Sequence, residues 1–141
     1  MKNRTLAIIK PDAVVNNYTG LIYDRILKNN FKILCAKLIK MTKKQAEGFY
    51  SIHKEKPFYD ELTSFMSSNP CMVLALEKDL AVSEWRKAIG STNPKDAKSG
   101  TIRKDFAKSL SQNAVHGSDS DENAQKEIAF FFSDSELISN Q

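Results

Sequence analysis

At 141 residues, 41% of them apolar, the chain has the size and apolar content of a single domain with its own core. Lys and Arg number 21 against 17 Asp and Glu, and the net +4 favours anionic ligands without choosing among nucleotide, nucleic acid and membrane surface. The first apolar run, Leu6 to Ile9, is too short for a signal-peptide core or a membrane span, which argues for a cytoplasmic protein with no membrane partner.

That run predicts a buried strand, stopped by Lys10-Pro11 because proline cannot donate to a ladder. From Gly20 to Asn29, Ile22 pairs with Ile26 and Tyr23 with Leu27 at helical spacing, and Asn29-Asn30 ends the helix. Phe31, Ile33 and Cys35 alternate along a second strand running to about Met41. Thr42 and Gln45 form a capping-box pattern that opens a helix carrying Ala46, Phe49, Tyr50 and His53, broken by Pro57. A short helix follows through Leu62, Phe65 and Met66, then a continuous apolar strand from Met72 to Leu76. Val82, Trp85 and Ile89 mark the next helix, which stops at Gly90.

Residues 91 to about 112 show no sustained period and predict a long loop, and loops of that length inside a domain are usually functional. Ala114-Val115-His116 reads as a minimal strand. Ser120 caps a last helix, with Asp121 and Glu122 in its first turn and Ala124, Ile128 and Phe131 on its inner face. No repeat or linker interrupts this alternation, so residues 1–141 are expected to form one domain. Cys35 and Cys71 lie in separate apolar runs without paired spacing, which favours buried reduced thiols over a disulfide or zinc site.

Charge is uneven along the chain. Lys and Arg recur through residues 86 to 108, whereas residues 119 to 136 hold six acids against Lys126 alone. An anion would meet the middle of the chain first. Neither a G-x-x-x-x-G-K loop nor an H-R-D with D-F-G is present, so phosphate chemistry would need another device. His116 offers one. It sits among small residues in Asn113-Ala114-Val115-His116-Gly117-Ser118-Asp119, with no cysteine or second histidine near it, a setting that suits a nucleophile better than a metal ligand. An unperturbed imidazole has a pKa of roughly 6.5, so at neutral pH one ring nitrogen can attack phosphorus without a separate base.

Five segments in register resemble nucleoside diphosphate kinases: Ile9-Lys10-Pro11-Asp12, Lys56-Pro57-Phe58, Gly90-Ser91-Thr92-Asn93-Pro94, Gly100-Thr101-Ile102-Arg103 and Asn113 through Asp119. The resemblance implies an α/β (α+β) fold, a ferredoxin-like sandwich with a four-stranded antiparallel sheet and helices packed on it. It also implies ping-pong transfer of a γ-phosphoryl group from a nucleoside triphosphate to a nucleoside diphosphate through a phosphohistidine. His116 would be the nucleophile through Nδ1, with Glu127, supported by Ser118, fixing its tautomer. Lys10, Tyr50, Arg86, Thr92 and Arg103 would hold phosphates, Lys10 and Asn113 the ribose hydroxyls, and Phe58 would stack on the base. An aromatic platform grips any base, so broad nucleotide use is expected. Magnesium (Mg2+) would be held mainly by phosphate oxygens and water, and no metal-binding residue is assigned.

The pattern departs from the family at Ala13 and Lys104, where glycine is common, and at Ser111-Gln112, where Gly-Arg is frequent. These bear on the loop near residues 104 to 113 and leave every proposed catalytic group in place. The chain ends at Gln141 without the longer tail that helps some members form hexamers, so the expectation is a homo-oligomer, either tetramer or hexamer. Two other classes compete: a nucleic-acid-binding module on a ferredoxin-like sheet, and an inactive nucleotide sensor. The first lacks the closely spaced aromatics of an RNA-binding sheet, so no specific nucleic acid partner is expected, and the second must explain why the proposed nucleophile and phosphate contacts are all present. Outside the resemblance, His53 would be an ordinary helix-face residue and Glu127 an exposed helix glutamate paired with a cation.

Overall fold

The computed structural model describes residues 3–138. Its strands are β1 (Arg4–Ile9), β2 (Lys32–Ile39), β3 (Cys71–Glu77) and β4 (Val115–Gly117), and its helices are α1 (Pro11–Val15), α2 (Thr19–Lys28), α3 (Lys43–Phe49), α4 (Tyr59–Met66), α5 (Ala81–Ile89), α6 (Ile102–Phe106) and α7 (Asp121–Phe131). The strands form one antiparallel sheet in the order β2-β3-β1-β4, the arrangement of a ferredoxin-like sandwich.

Both faces of the sheet are covered, which is why β1 and β3 read as unbroken apolar runs. Ala7, Ile9, Leu74 and Leu76 face one way and pack under Ile22, Ile26 and Trp85 from α2 and α5. Leu6, Ile8, Val73 and Ala75 face the other way, against Ala46, Met66 and Ile128 from α3, α4 and α7. Because successive strand side chains alternate, Val115 joins the first face, while His116 turns to the second. The register sets His116 opposite Ile8.

Local signals explain most element ends. Asn30 takes φ +65° after α2, with Asn30 N–H on Leu27 O (3.0 Å) and Phe31 N–H on Ile26 O (3.3 Å), a Schellman closure. Thr42 and Gln45 form the expected capping box at α3. One element is added to the expectations and two are corrected. Pro11 ends β1 but also opens a helix, because its fixed φ suits the first helical position. The helix from Thr42 stops at Phe49, and residues 51–53 make a 3-10 turn, so His53 leaves the helix face. The segment 91–112 is not all loop: Thr101 caps α6 by accepting from Lys104 N–H (3.3 Å).

No described helix is long and apolar enough to cross a membrane. Cys71 is fully buried, and burial raises its thiol to about 11, whereas Cys35 is half-buried; both are unbridged.

Candidate active site

The second sheet face opens beside β4 into a cavity of about 330 Å³ lined by Lys10, Tyr50, Arg86, Thr92, Arg103, Asn113, His116 and Glu127, among others. A larger cavity of about 680 Å³ adjoins it, sharing Arg86, Ile89, Thr92 and Arg103 and adding Lys87 and Lys98. Only the smaller one contains the imidazole, and the chemistry is built there.

His116 Nε2 lies 2.8 Å from Glu127 Oε1, and Ser118 Oγ donates to the same oxygen at 2.8 Å. Ser118 in turn accepts from Leu6 N–H at 3.2 Å, so its donor is aimed at the carboxylate. With Glu127 ionised and accepting, Nε2 carries the hydrogen and Nδ1 keeps its lone pair. The ring packs edge-on against Phe49 (centroids 5.5 Å apart) and Tyr50 (6.4 Å). Trp85 Nε1–H donates to His116 O at 3.0 Å, fixing the backbone of the same residue.

The turn before β4 is unusual. Ala114 has φ +72°, and Val115 N–H donates to Asn113 O, two residues back, at 2.8 Å, which makes a γ-turn. An alanine held there stores on the order of 1–3 kcal/mol. Neighbours hold it in place: Lys10 N–H donates to Ala114 O (2.8 Å), and Ala114 N–H donates to Asp12 Oδ2 (3.1 Å).

The cations divide into fixed and free. Arg103 is buried and donates to three backbone carbonyls, Gly90 O (3.0 Å), Asn113 O (3.3 Å) and Val115 O (2.8 Å). Burial, and then Arg86 nearby, lower its pKa to about 10, so it stays charged at neutral pH. Lys10, also buried, donates from Nζ to Asn113 Oδ1 at 2.9 Å. Its burial, with Arg103 adding to the effect and Asp12 opposing it, brings the ammonium down to about 8. Arg86 and Thr92 reach the cavity from exposed positions.

Tyr50 caps α3 and its hydroxyl is buried without a partner; burial raises its pKa and keeps the phenol un-ionised. Phe58 lies just before α4, 47% exposed and outside the smaller cavity's wall, with its ring 5.5 Å from that of His53. His53 stacks at 6.5 Å on Tyr50 and lines the cavity, so the helix-face expectation for it fails.

All of the expected residues except Phe58 and Ser118 thus meet at one cavity, and Ser118 touches it through Glu127. The sequence reading missed Asp12, Phe49, Trp85 and Asp119, which hold or line the same cavity. Asp12 and Asp119 stood inside segments already singled out; the long-range bonds that bring in Phe49 and Trp85 have no local signal. The departures from the family pattern are accommodated: Ala13 and Lys104 sit in helices without positive φ, and residues 108–112 close on themselves through Lys108 N–H to Gln112 O (3.0 Å).

Among the described residues, no group of three or more His, Cys, Asp or Glu gathers as a protein metal site would require.

Comparison with known proteins agrees with this fold. The family profile described as "Nucleoside diphosphate kinase" matches residues 3–137. The nucleoside diphosphate kinase of Geotalea uraniireducens is 56% identical over 135 residues, covering 96% of this chain and 98% of that protein. That of Francisella philomiragia is 53% identical over 137 residues, covering 97% and 98%. Among solved structures, the Aquifex aeolicus nucleoside diphosphate kinase superposes with a TM-score of 0.95 at 40% identity, covering 96% of this chain and 99% of that one. The Halobacterium salinarum nucleoside diphosphate kinase, solved in complex with CDP, gives 0.93 at 34% identity, covering 100% and 94%. With the profile across nearly its full length and relatives above half identity, the chain belongs to the nucleoside diphosphate kinase family, a family of phosphotransferases.

Proposed function

We propose that the chain, as one domain over residues 1–141, transfers the γ-phosphoryl group of a nucleoside triphosphate to a nucleoside diphosphate through a phosphohistidine at His116. The observation that carries this reading is the His116 ring, bonded at Nε2 to Glu127 (2.8 Å), in a cavity shared with Lys10, Arg86 and Arg103. In the first half-reaction, Nδ1 forms a bond to the γ-phosphorus while the bond from that phosphorus to the bridging β–γ oxygen breaks. The nucleoside diphosphate leaves with the electron pair. The positive charge gained by the ring is shared with Glu127 through Nε2–H. An acceptor diphosphate then takes the phosphoryl group by the reverse path.

Lys10, Arg86, Arg103, Thr92 and the Tyr50 hydroxyl hold phosphate oxygens, where charge gathers in the transition state. The buried unpartnered Tyr50 hydroxyl fits that role, because a phosphate oxygen would supply its missing partner. Lys10 and Asn113 meet the ribose hydroxyls. Phe58, exposed and apolar, offers its face to any base. Magnesium (Mg2+) bound with the nucleotide would be held mainly by phosphate oxygens and water and would neutralise phosphate charge; of the two acids on the cavity wall, Glu127 is committed to His116, and the Asp119 oxygen not bonded to Asn123 would meet the ion's water shell. The same reading makes the protein a cytoplasmic homo-oligomer, tetramer or hexamer, with nucleoside tri- and diphosphates as partners and no specific nucleic acid.

The test is incubation with γ-labelled ATP and magnesium. An acid-labile, alkali-stable label should appear on the protein, any nucleoside diphosphate should discharge it, and His116→Ala should abolish it with folding intact. Label retained in that variant, or kinetics that require donor and acceptor bound together, would overturn the reading.

A further inference from the structure

The junction between β1 and α1 grips the turn before His116 at three points. Lys10 binds it through its backbone N–H to Ala114 O (2.8 Å) and through Nζ to Asn113 Oδ1 (2.9 Å), and Asp12 binds it through Oδ2, which accepts from Ala114 N–H (3.1 Å). Asp12 thus satisfies the amide of Ala114, which is held at positive φ in the turn before His116.

That bond alone does not account for a carboxylate. A neutral side-chain amide would accept the same N–H, whereas Asp12 keeps its second oxygen, Oδ1, buried with no hydrogen-bond partner, and burial raises its pKa against the opposing pull of Lys10 and the backbone amides. Lys10 and Asp12 grip adjacent residues of one turn, Asn113 at 2.9 Å and Ala114 at 3.1 Å, so the carboxylate's charge acts on the ammonium. The charged and titratable groups on the walls around that ammonium are Asp12 from α1, Tyr50 from the end of α3, His53 from the 3-10 turn, Arg86 from α5, Arg103 from α6, His116 from β4, and Asp119 and Glu127 at α7. Arg103 pushes against the ammonium, Glu127 is taken up by His116 and Ser118, Asp119 by Asn123, and Asp12 is the acid that favours its charged form.

We propose that Asp12 is a positioning residue for phosphoryl transfer, its carboxylate holding the turn that carries His116 while its charge keeps the Lys10 ammonium ready for the phosphates. The inference rests on the roles given above to Lys10 and His116. It predicts how two substitutions separate. Asp12→Asn keeps an acceptor for Ala114 N–H and removes the charge. Asp12→Glu keeps the charge on a longer arm.

The experiment measures kcat/KM across roughly pH 6 to 10 and, in the same proteins, the titration of the Lys10 Cε resonance in lysine-labelled samples. The intact protein should lose activity as Lys10 deprotonates around pH 8. In Asp12→Asn, both the alkaline limb and the Lys10 titration should move down by roughly half a unit to one unit, because an opposing charge has been removed. Activity at pH 8 should then fall several-fold, with a loss of about twofold or less at pH 6.5. Asp12→Glu should return the limb to its original position. An unmoved Lys10 titration, an equal loss at every pH, or failure of both variants to fold would overturn the proposal and leave Asp12 a structural residue. If the intact protein takes no label on His116, the functional reading itself falls, and the proposal with it; labelling with an unmoved limb sinks the Asp12 assignment alone.

Discussion

His116 is held by a carboxylate that is itself held: Leu6 N–H orients Ser118, Ser118 orients Glu127, and Glu127 orients the ring. Glu127→Gln retains the shape but can present its amide NH2 to Nε2, favouring the tautomer with hydrogen on Nδ1. Turnover should then drop about 10- to 100-fold, the range found when a metal-ligating histidine loses the partner that orients it, with little change in the melting temperature. Stopped-flow measurement of the phosphorylation step checks this, and an unchanged rate would remove Glu127 from the mechanism. Arg103 poses a different problem, because its fork spans three carbonyls from separate segments. Lysine is a point donor and cannot reproduce that geometry. Arg103→Lys should therefore lose about 1–3 kcal/mol of stability from carbonyls left unpaired, together with weaker nucleotide binding, as read by urea unfolding and by KM.

At the scale of elements, α5 and β4 meet where there is no room for a side chain. A Cβ on Gly117 would lie 2.8 Å from Trp85 Cδ1 and 3.2 Å from Ile89 Cδ1. Gly117→Ala should push the indole off His116 O and cost about 1–3 kcal/mol, as overpacked cores do. Trp85 is the chain's single tryptophan, so its fluorescence reports the displacement directly, and an unshifted emission maximum would contradict the packing argument. The elements most legible in the sequence were those with local causes: the apolar runs of β1 and β3, the Ile22–Ile26 spacing of α2, and the Thr42 capping box. Helices α1 and α6 were not. Each has five residues, too few to show a period, and α6 lies in a segment rich in Lys, Ser and Asp. Its place is set instead by tertiary contacts, with Arg25 of α2 bonded to Asp105 and Gly100 O and stacked over the Phe106 ring at 5.3 Å.

For the whole molecule, placing cations in the site opposes stability. Lys10 is buried with a folded pKa of about 8, below the unfolded value of 10.5, so the folded protein binds fewer protons between those pH values, and stability contributed by this group rises with pH through that window. At neutral pH its burial opposes folding by roughly 3 kcal/mol. Lys10→Met should accordingly unfold at a higher urea concentration than the unmodified protein at pH 7, the gap narrowing toward pH 10, while phosphoryl transfer falls sharply. A variant less stable at pH 7 would show that the Lys10–Asn113 bond outweighs the desolvation.

From its residues alone the chain determined the strand pattern, the longer helices, the nucleophile segment and the family it resembles, because apolar period, caps and short motifs are encoded within a few neighbouring positions. The tertiary structure decided which cations are fixed and which are free, why Asp12 and Trp85 bear on His116, and where His53 points. Those outcomes depend on contacts between residues far apart in sequence, such as Asp12 with Ala114 at a separation of 102, and no local period carries that information.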